Sequence, residues 1–347
     1  MDSIYNSKFI QSNFNQFLTW FLSPKSNYVS KEEPWNIPIF ARSLSHSYNT
    51  LPAHNEELKH ANIQVDFLSD KEYLNKDKDY LGAVVELKNH VNEVLLEYLH
   101  DFLIHGSIAT MDYSKGWTDL DTFVIISSET ILNPDILIEF RKKIIDAHDY
   151  LLRIDPHQHH GFIFCTEKGL KQYFEHFVPL EVIRESKSLI RSGSLNLYYS
   201  RDARITSFAF KQKNNLLRLA SQEGILKHHK YQNRYLYDNF KYTDTMYQLK
   251  YFLSLVMTLP AYYLDAKGLS CYKKNSFDVV KSKFQEEWEI IDKASEVRSR
   301  WASKEEFPYV GNQIPVWVMK ILGDNYFDRA YKLSNAMSKC LSSEKFK

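Results

Sequence analysis

The chain has 347 residues, 44% of them hydrophobic, with a formal net charge of +1 and three widely separated cysteines, Cys165, Cys271 and Cys340. That length supports a large buried core and predicts two domains, while the near-zero charge supplies no broad field for a polyanion, so composition gives no argument for nucleic acid. The odd cysteine count, without metal-ligand spacing, points to a reducing compartment. The N-terminal stretch "FNQFLTWFL" is short and interrupted by Asn15 and Gln16. It lacks a basic flank and a small-residue cleavage site, which argues against a signal peptide. Residues 1–80 are mixed around a loop-like centre, "SPKSNYVSKEEPWNIP", and carry no assignable function.

From Ala83 onward the pattern sharpens. Val84, Leu87, Val91, Val94, Leu95, Tyr98 and Phe102 recur at helical spacing, predicting a helix followed by a short apolar strand, "FLIH". A second strand is predicted over "TFVIIS", then a helix over "NPDILIEFRKKIIDAHDYLL", with Asn133 as N-cap and Pro134 at the first helical position. "HGFIFCT" reads as a further strand. Residues 81–198 thus form an α/β unit. Beyond Tyr198 helical patterns dominate, as in "NLLRLASQEGILK" and "SFDVVKSKFQEEWEIIDKASEVRSRW". Gly268 is an expected helix stop, and Asn275 or Ser276 an expected cap for the next helix. Residues 199–347 are expected to be a helical bundle packed on the α/β unit. No run reaches the length of a membrane span, and "YFLSLVMTLPAYYL" is interrupted by Pro260. A cytoplasmic protein with no membrane partner is expected.

The stretch that carries chemistry is "HGSIATMDYSKGWTDLDTFVII", His105 to Ile126. Residues two apart on a strand share a face, so Asp119 and Asp121 should point the same way, with Leu120 packed behind them. Two hard oxygen donors at a strand end suit Mg²⁺ or Mn²⁺. Upstream, Gly106 permits a tight turn, and Ser107 offers a hydroxyl and a backbone N–H to a phosphate. The plain alternative is a turn capped by Asp119 and a solvated Asp121.

Gly-Ser, eleven residues, then acid-apolar-acid running into an apolar strand resembles the signature of the DNA polymerase β-like nucleotidyltransferase superfamily. Thr118 matches the small hydroxyl residue common before the first acid. The resemblance covers about residues 85–170. It implies an α/β (α+β) domain with a mixed sheet, followed by a C-terminal all-α region. It also implies transfer of a nucleoside monophosphate from a nucleoside triphosphate to an acceptor hydroxyl, with Mg²⁺ (or Mn²⁺) on Asp119 and Asp121 and the triphosphate on Gly106 and Ser107.

One part of that pattern is different. The family's third carboxylate sits on the next strand, and here the corresponding position falls at His160 or Gly161, in "IDPHQHHGFIFC". Asp155 lies nearby, before Pro156. A histidine could ligate the metal or accept the acceptor's proton, and of His157, His159 and His160 the last is the favoured base. Lys273 and Lys274 in "CYKKNSF" are candidates to reach the nucleotide phosphates, Lys274 being taken as the binding residue. Tyr262 and Tyr263 could stack on a base or belong to the core, and the basic string "KHHKYQNRY" reads as a solvated helix end. The acceptor is left open between a small molecule, a protein side chain and an RNA end. The rival reading is a nucleotide-binding module of the same fold without turnover.

Overall fold

A computed structural model of the chain describes residues 14–24, 36–52, 58–155, 161–175, 178–223, 245–301 and 314–344. Among these, β1 (Lys59–Phe67), β2 (Leu99–His105), β3 (Asp121–Ile126), β4 (Ile163–Thr166), β5 (Tyr173–Phe174), β6 (Lys187–Ser188) and β7 (Gly193–Ser200) form one sheet in the order β4-β3-β2-β6-β1-β7-β5. The sheet is mixed. β3 runs parallel to β4, β1 to β6 and β5 to β7, while β2 is antiparallel to β3 and β6, and β1 to β7.

β3 shows why residues 123–126, the run after Asp121 and Thr122, are wholly apolar. Its alternate residues enter two different cores: Val124 and Ile126 join one, Phe123 and Ile125 the other. A strand covered on both faces needs no polar alternation. The first face is covered by α1 (Phe14–Phe21), α2 (Ile37–Thr50), α3 (Asp70–His90) and, beyond the one-turn α4 (Gly106–Ala109), by α5 (Pro134–Ala147) and α6 (Asp149–Ile154). The sheet reaches N-terminal of residue 81. Ala61, Ile63 and Val65 of β1 point into the second core, and β1 pairs with β7 from Lys59 opposite Tyr199 to Val65 opposite Gly193.

Asn133 caps α5 as its sequence predicts, accepting from the Asp135 and Ile136 amides at 3.1 and 3.4 Å. Asn133→Ala should lower stability by about 1 kcal/mol, readable as a lower denaturant midpoint with an unchanged slope.

The helix expected to run on through Leu152 divides at His148, which separates α5 from α6. The His148 ring is fully buried, 4.3 Å from the ring of Phe162, and its Nδ1–H donates to the Ile144 carbonyl at 2.8 Å. Burial pushes its pKa down to about 4. The folded value thus lies below the unfolded value of about 6.5. Between these two pH values the unfolded chain takes up a proton that the folded chain refuses. Stability is therefore lost as pH falls through that window, by roughly 3 kcal/mol from this group. His148→Leu, which cannot titrate, should show a flatter loss of urea midpoint between pH 7 and 4. Parallel pH profiles for the two proteins would refute the assignment.

After β7 the chain is helical: α7 (Ala203–Glu223), α8 (Thr245–Ala266), α9 (Lys273–Lys281), α10 (Glu289–Trp301), α11 (Val316–Leu322) and α12 (Tyr326–Glu344). They share a third core, including Leu253, Val256, Ile291, Val297 and Leu333. The chain is therefore an α/β domain with a mixed sheet and a helical C-terminal region. Pro260 does not break α8. It removes one backbone donor, but Val256, Leu259, Tyr263 and Leu264 are all buried around it, and that packing holds the helix together. Gly268 does end the helix, at φ +83°. The next helix starts earlier than its expected cap: α9 begins at Lys273, and Ser276 is buried inside it, donating to the Lys273 carbonyl. The long pattern after it divides into α9 and α10. Among the described residues no helix is long and apolar enough to cross a membrane.

Candidate active-site cleft

β2 ends at His105, directly opposite the first residue of β3, Asp121. Gly106 then turns the chain into α4 with φ +69°, a left-handed conformation that costs a residue with a Cβ. A Cβ at Gly106 would lie 2.5 Å from Asp121 Oδ2. The bare glycine is the space into which the carboxylate fits. Ser107 Oγ donates to Thr118 Oγ1 at 3.3 Å, and the same oxygen accepts from the Ser114 amide at 2.9 Å. Thr118, the hydroxyl residue before the first acid, thereby ties the Gly-Ser turn to the aspartate end of the loop.

That loop is held from both halves of the protein. From α3, Tyr80 donates to the Thr118 carbonyl at 3.1 Å and Asp77 pairs with Lys115 at 2.7 Å. From the helical region, Arg298 donates to the Asp112 carbonyl at 2.7 Å, and the Tyr272 and Thr110 hydroxyls are 3.3 Å apart. Trp117 belongs to the helical core. Its ring meets Trp301 edge-on at 5.1 Å, and Trp301 in turn meets Trp317 at 5.6 Å.

Between the halves lies a cleft of about 410 Å³. Gly106, Ser107, Thr118, Asp119 and Asp121 line its sheet side. Asp121 is on the strand, whereas Asp119 lies two residues before it in the loop, and both are half-buried. Lys213, Lys250, Lys273 and Arg298 line the helical side, with Trp117, Tyr251, Tyr262 and Tyr272 between. Four cationic side chains and two carboxylates thus face one another across a partly apolar wall.

Lys250 has the tightest environment. Its Nζ is in contact with Asp155 Oδ2, and Asp155 is fully buried. Burial opposes the ammonium charge, but Asp155, Asp119 and Asp121 outweigh it and raise the lysine's pKa. Lys273 is shifted the other way: burial and the neighbouring Arg298 lower its pKa, against the pull of Asp121, Asp119 and Asp112. The expected phosphate lysine, Lys274, is exposed and lies outside the cleft lining; Lys273 takes the inward position. Tyr262 faces the cleft while Tyr263 is a core residue.

His157, His159 and His160, with the base role expected of His160, lie outside the described residues, as does "KHHKYQNRY". Gly161 lies two residues before the first residue of β4, Ile163, which pairs with Phe123 of β3. Among the described residues there is no group of three or more His, Cys, Asp and Glu side chains placed to hold a metal ion. The donors that are present fit one hard divalent cation: two carboxylates on one wall, one of them seated where Gly106 leaves space, with open volume for water ligands.

Neither Lys250 nor Arg298 belongs to a motif in the sequence. Lys250 did leave a signal, as the lone cation in "QLKYFLSLVMTLPAYYL". A single lysine on such a helix has to point at an acid or at water. Arg298 is one of several charges in "SEVRSRW" and left none. Comparison with family models, curated proteins and solved structures gives no match to this chain.

Proposed function

We propose that this protein is a nucleotidyltransferase of the polymerase β-like type. It would transfer a nucleoside monophosphate from a nucleoside triphosphate to an acceptor hydroxyl and release pyrophosphate. The observation that carries this reading is the meeting of the Gly106-Ser107 turn, Thr118, Asp119 and Asp121 with Lys250, Lys273 and Arg298 in one cleft.

In this reading Asp119 and Asp121 hold Mg²⁺ or Mn²⁺, which when bound neutralises phosphate charge and polarises the reacting phosphate. Ser107 and the Gly106 backbone receive the triphosphate on the sheet side. Lys273 and Arg298 meet its oxygens from the helical side, where charge spreads during transfer. The acceptor oxygen bonds to the α-phosphorus as that phosphorus separates from its bridging oxygen. Pyrophosphate leaves with the electron pair, and the acceptor's proton passes to a base, for which His160 is the candidate from sequence. Trp117, Tyr262 and Tyr272 give the cleft flat apolar surface for a base or an acceptor ring. The acceptor class stays open between a small molecule, a protein side chain and an RNA end.

The test is a pyrophosphate-release screen with each of four nucleoside triphosphates, Mg²⁺ or Mn²⁺, and a panel of acceptors. Metal-dependent release with one acceptor class supports the enzyme. Nucleotide binding without release across the panel supports the binding module instead.

A further inference from the structure

The position of Lys250 has a consequence for metal stoichiometry. Two-metal phosphoryl-transfer sites need enough carboxylates to hold two divalent ions. Here the third acid near the pair, Asp155, is already engaged. It is fully buried, and Lys250 lies between it and the cleft, with 14% of its side chain exposed. Asp155 does not line the cleft; Lys250 does, alongside Asp119 and Asp121. The ammonium is thus a fixed positive charge presented to the same space as the two aspartates, with a buried carboxylate behind it as its anchor.

We infer that the site takes a single divalent cation, on Asp119 and Asp121, and that the Lys250 ammonium, positioned by Asp155, supplies the second positive charge to the triphosphate. This rests on the nucleotidyltransferase reading. A second divalent ion would need carboxylates beyond Asp119 and Asp121, and among the described residues that line the cleft there are no others, whereas Lys213, Lys250, Lys273 and Arg298 all line it. A lysine is a compact point charge with three donors, suited to phosphate oxygens. Asp155 is then a positioning residue: it fixes where the ammonium sits without touching the nucleotide.

The experiment is equilibrium dialysis of the full chain against Mn²⁺ and, in turn, a saturating non-hydrolysable analogue of each of the four nucleoside triphosphates, with metal and analogue counted per chain above the dialysate. The expected result is one Mn²⁺ and one analogue. Lys250→Met leaves Asp155 buried without its cation and so risks the fold. The neutral pair Asp155→Asn with Lys250→Met is therefore measured beside it. The double variant should keep one Mn²⁺ and bind the analogue about 10- to 100-fold more weakly, the scale of a lost charged hydrogen bond. Lys250→Arg should bind it better than the double variant does. Two Mn²⁺ per wild-type chain with analogue bound would overturn the inference while leaving the nucleotide reading intact. Unchanged analogue affinity in a folded double variant would also overturn it. If neither Mn²⁺ nor any of the four nucleoside triphosphate analogues binds the wild type, the nucleotide reading itself fails, and this inference with it.

Discussion

Asp121→Asn is expected to abolish metal-dependent nucleotide transfer while leaving the fold in place. The substitution keeps the volume and shape of the side chain and removes one negative charge. Asp121 is half-buried at the first position of β3, opposite His105, and it lines the cleft with Asp119. Its backbone pairing is indifferent to an amide. The melting temperature should stay within about 2 °C of wild type. If Asp121 holds the metal as proposed, its loss should cost at least about 100-fold in metal affinity, since even residues behind metal ligands cost about 10- to 100-fold. Transfer at fixed Mg²⁺ should fall accordingly, with partial recovery at high Mn²⁺. A folded Asp121→Asn protein that keeps most of a measured wild-type activity would remove Asp121 from the metal site.

Gly106→Ala should have a similarly large effect on transfer, by a route that also touches stability. The added Cβ would stand 2.5 Å from Asp121 Oδ2, 3.5 Å from its Cγ and 3.6 Å from its Cβ. A carboxylate end can rotate away, so the fold survives, but Oδ2 of a carboxylate that lines the cleft is the atom displaced. The alanine must also hold φ near +69°, which costs on the order of 1–2 kcal/mol. The expected outcome is a protein that melts several degrees lower and transfers nucleotide about as poorly as Asp121→Asn. The pair of variants separates two effects, since only Gly106→Ala should lower the melting temperature. Full activity in Gly106→Ala would mean that Asp121's carboxylate is not needed where the structure puts it.

The middle of the chain was readable because its signals are local. Asn133-Pro134 announces a helix start in two residues, Gly268 a stop in one, and β3 ends in four apolar residues, 123–126. The remainder of the sheet was not readable, because its strands depend on distant partners. "KHANIQVDF" hides inward Ala61, Ile63 and Val65 among polar residues. β7 does the same with Leu195 and Leu197, and each strand finds its partner across more than 120 residues. β6 is only two residues long. Of the site, Gly106, Ser107, Thr118, Asp119 and Asp121 form one contiguous stretch, so their shared cleft could be anticipated from spacing. The cations are less legible: the Lys273-Lys274 pair stands out in the sequence, but Lys250, Lys273 and Arg298 come from three helices whose approach is set by packing. Which of Lys273 and Lys274 turns inward depends on helix phase, and the Tyr272 cap carries no side-chain hydrogen bond to announce where α9 begins.

Trp117 sits three residues after Ser114 and two before Asp119, yet its ring is part of the helical core. The loop that leads into the two aspartates is therefore fastened, two residues before Asp119, to the other half of the molecule. An exchange that joined this sheet to a foreign bundle would carry over both acids in their correct order and still lose the wall that the indole completes. Chimaeras cut after residue 200 should accordingly inherit the motif without its geometry, unless the incoming helices bring a slot for that one ring.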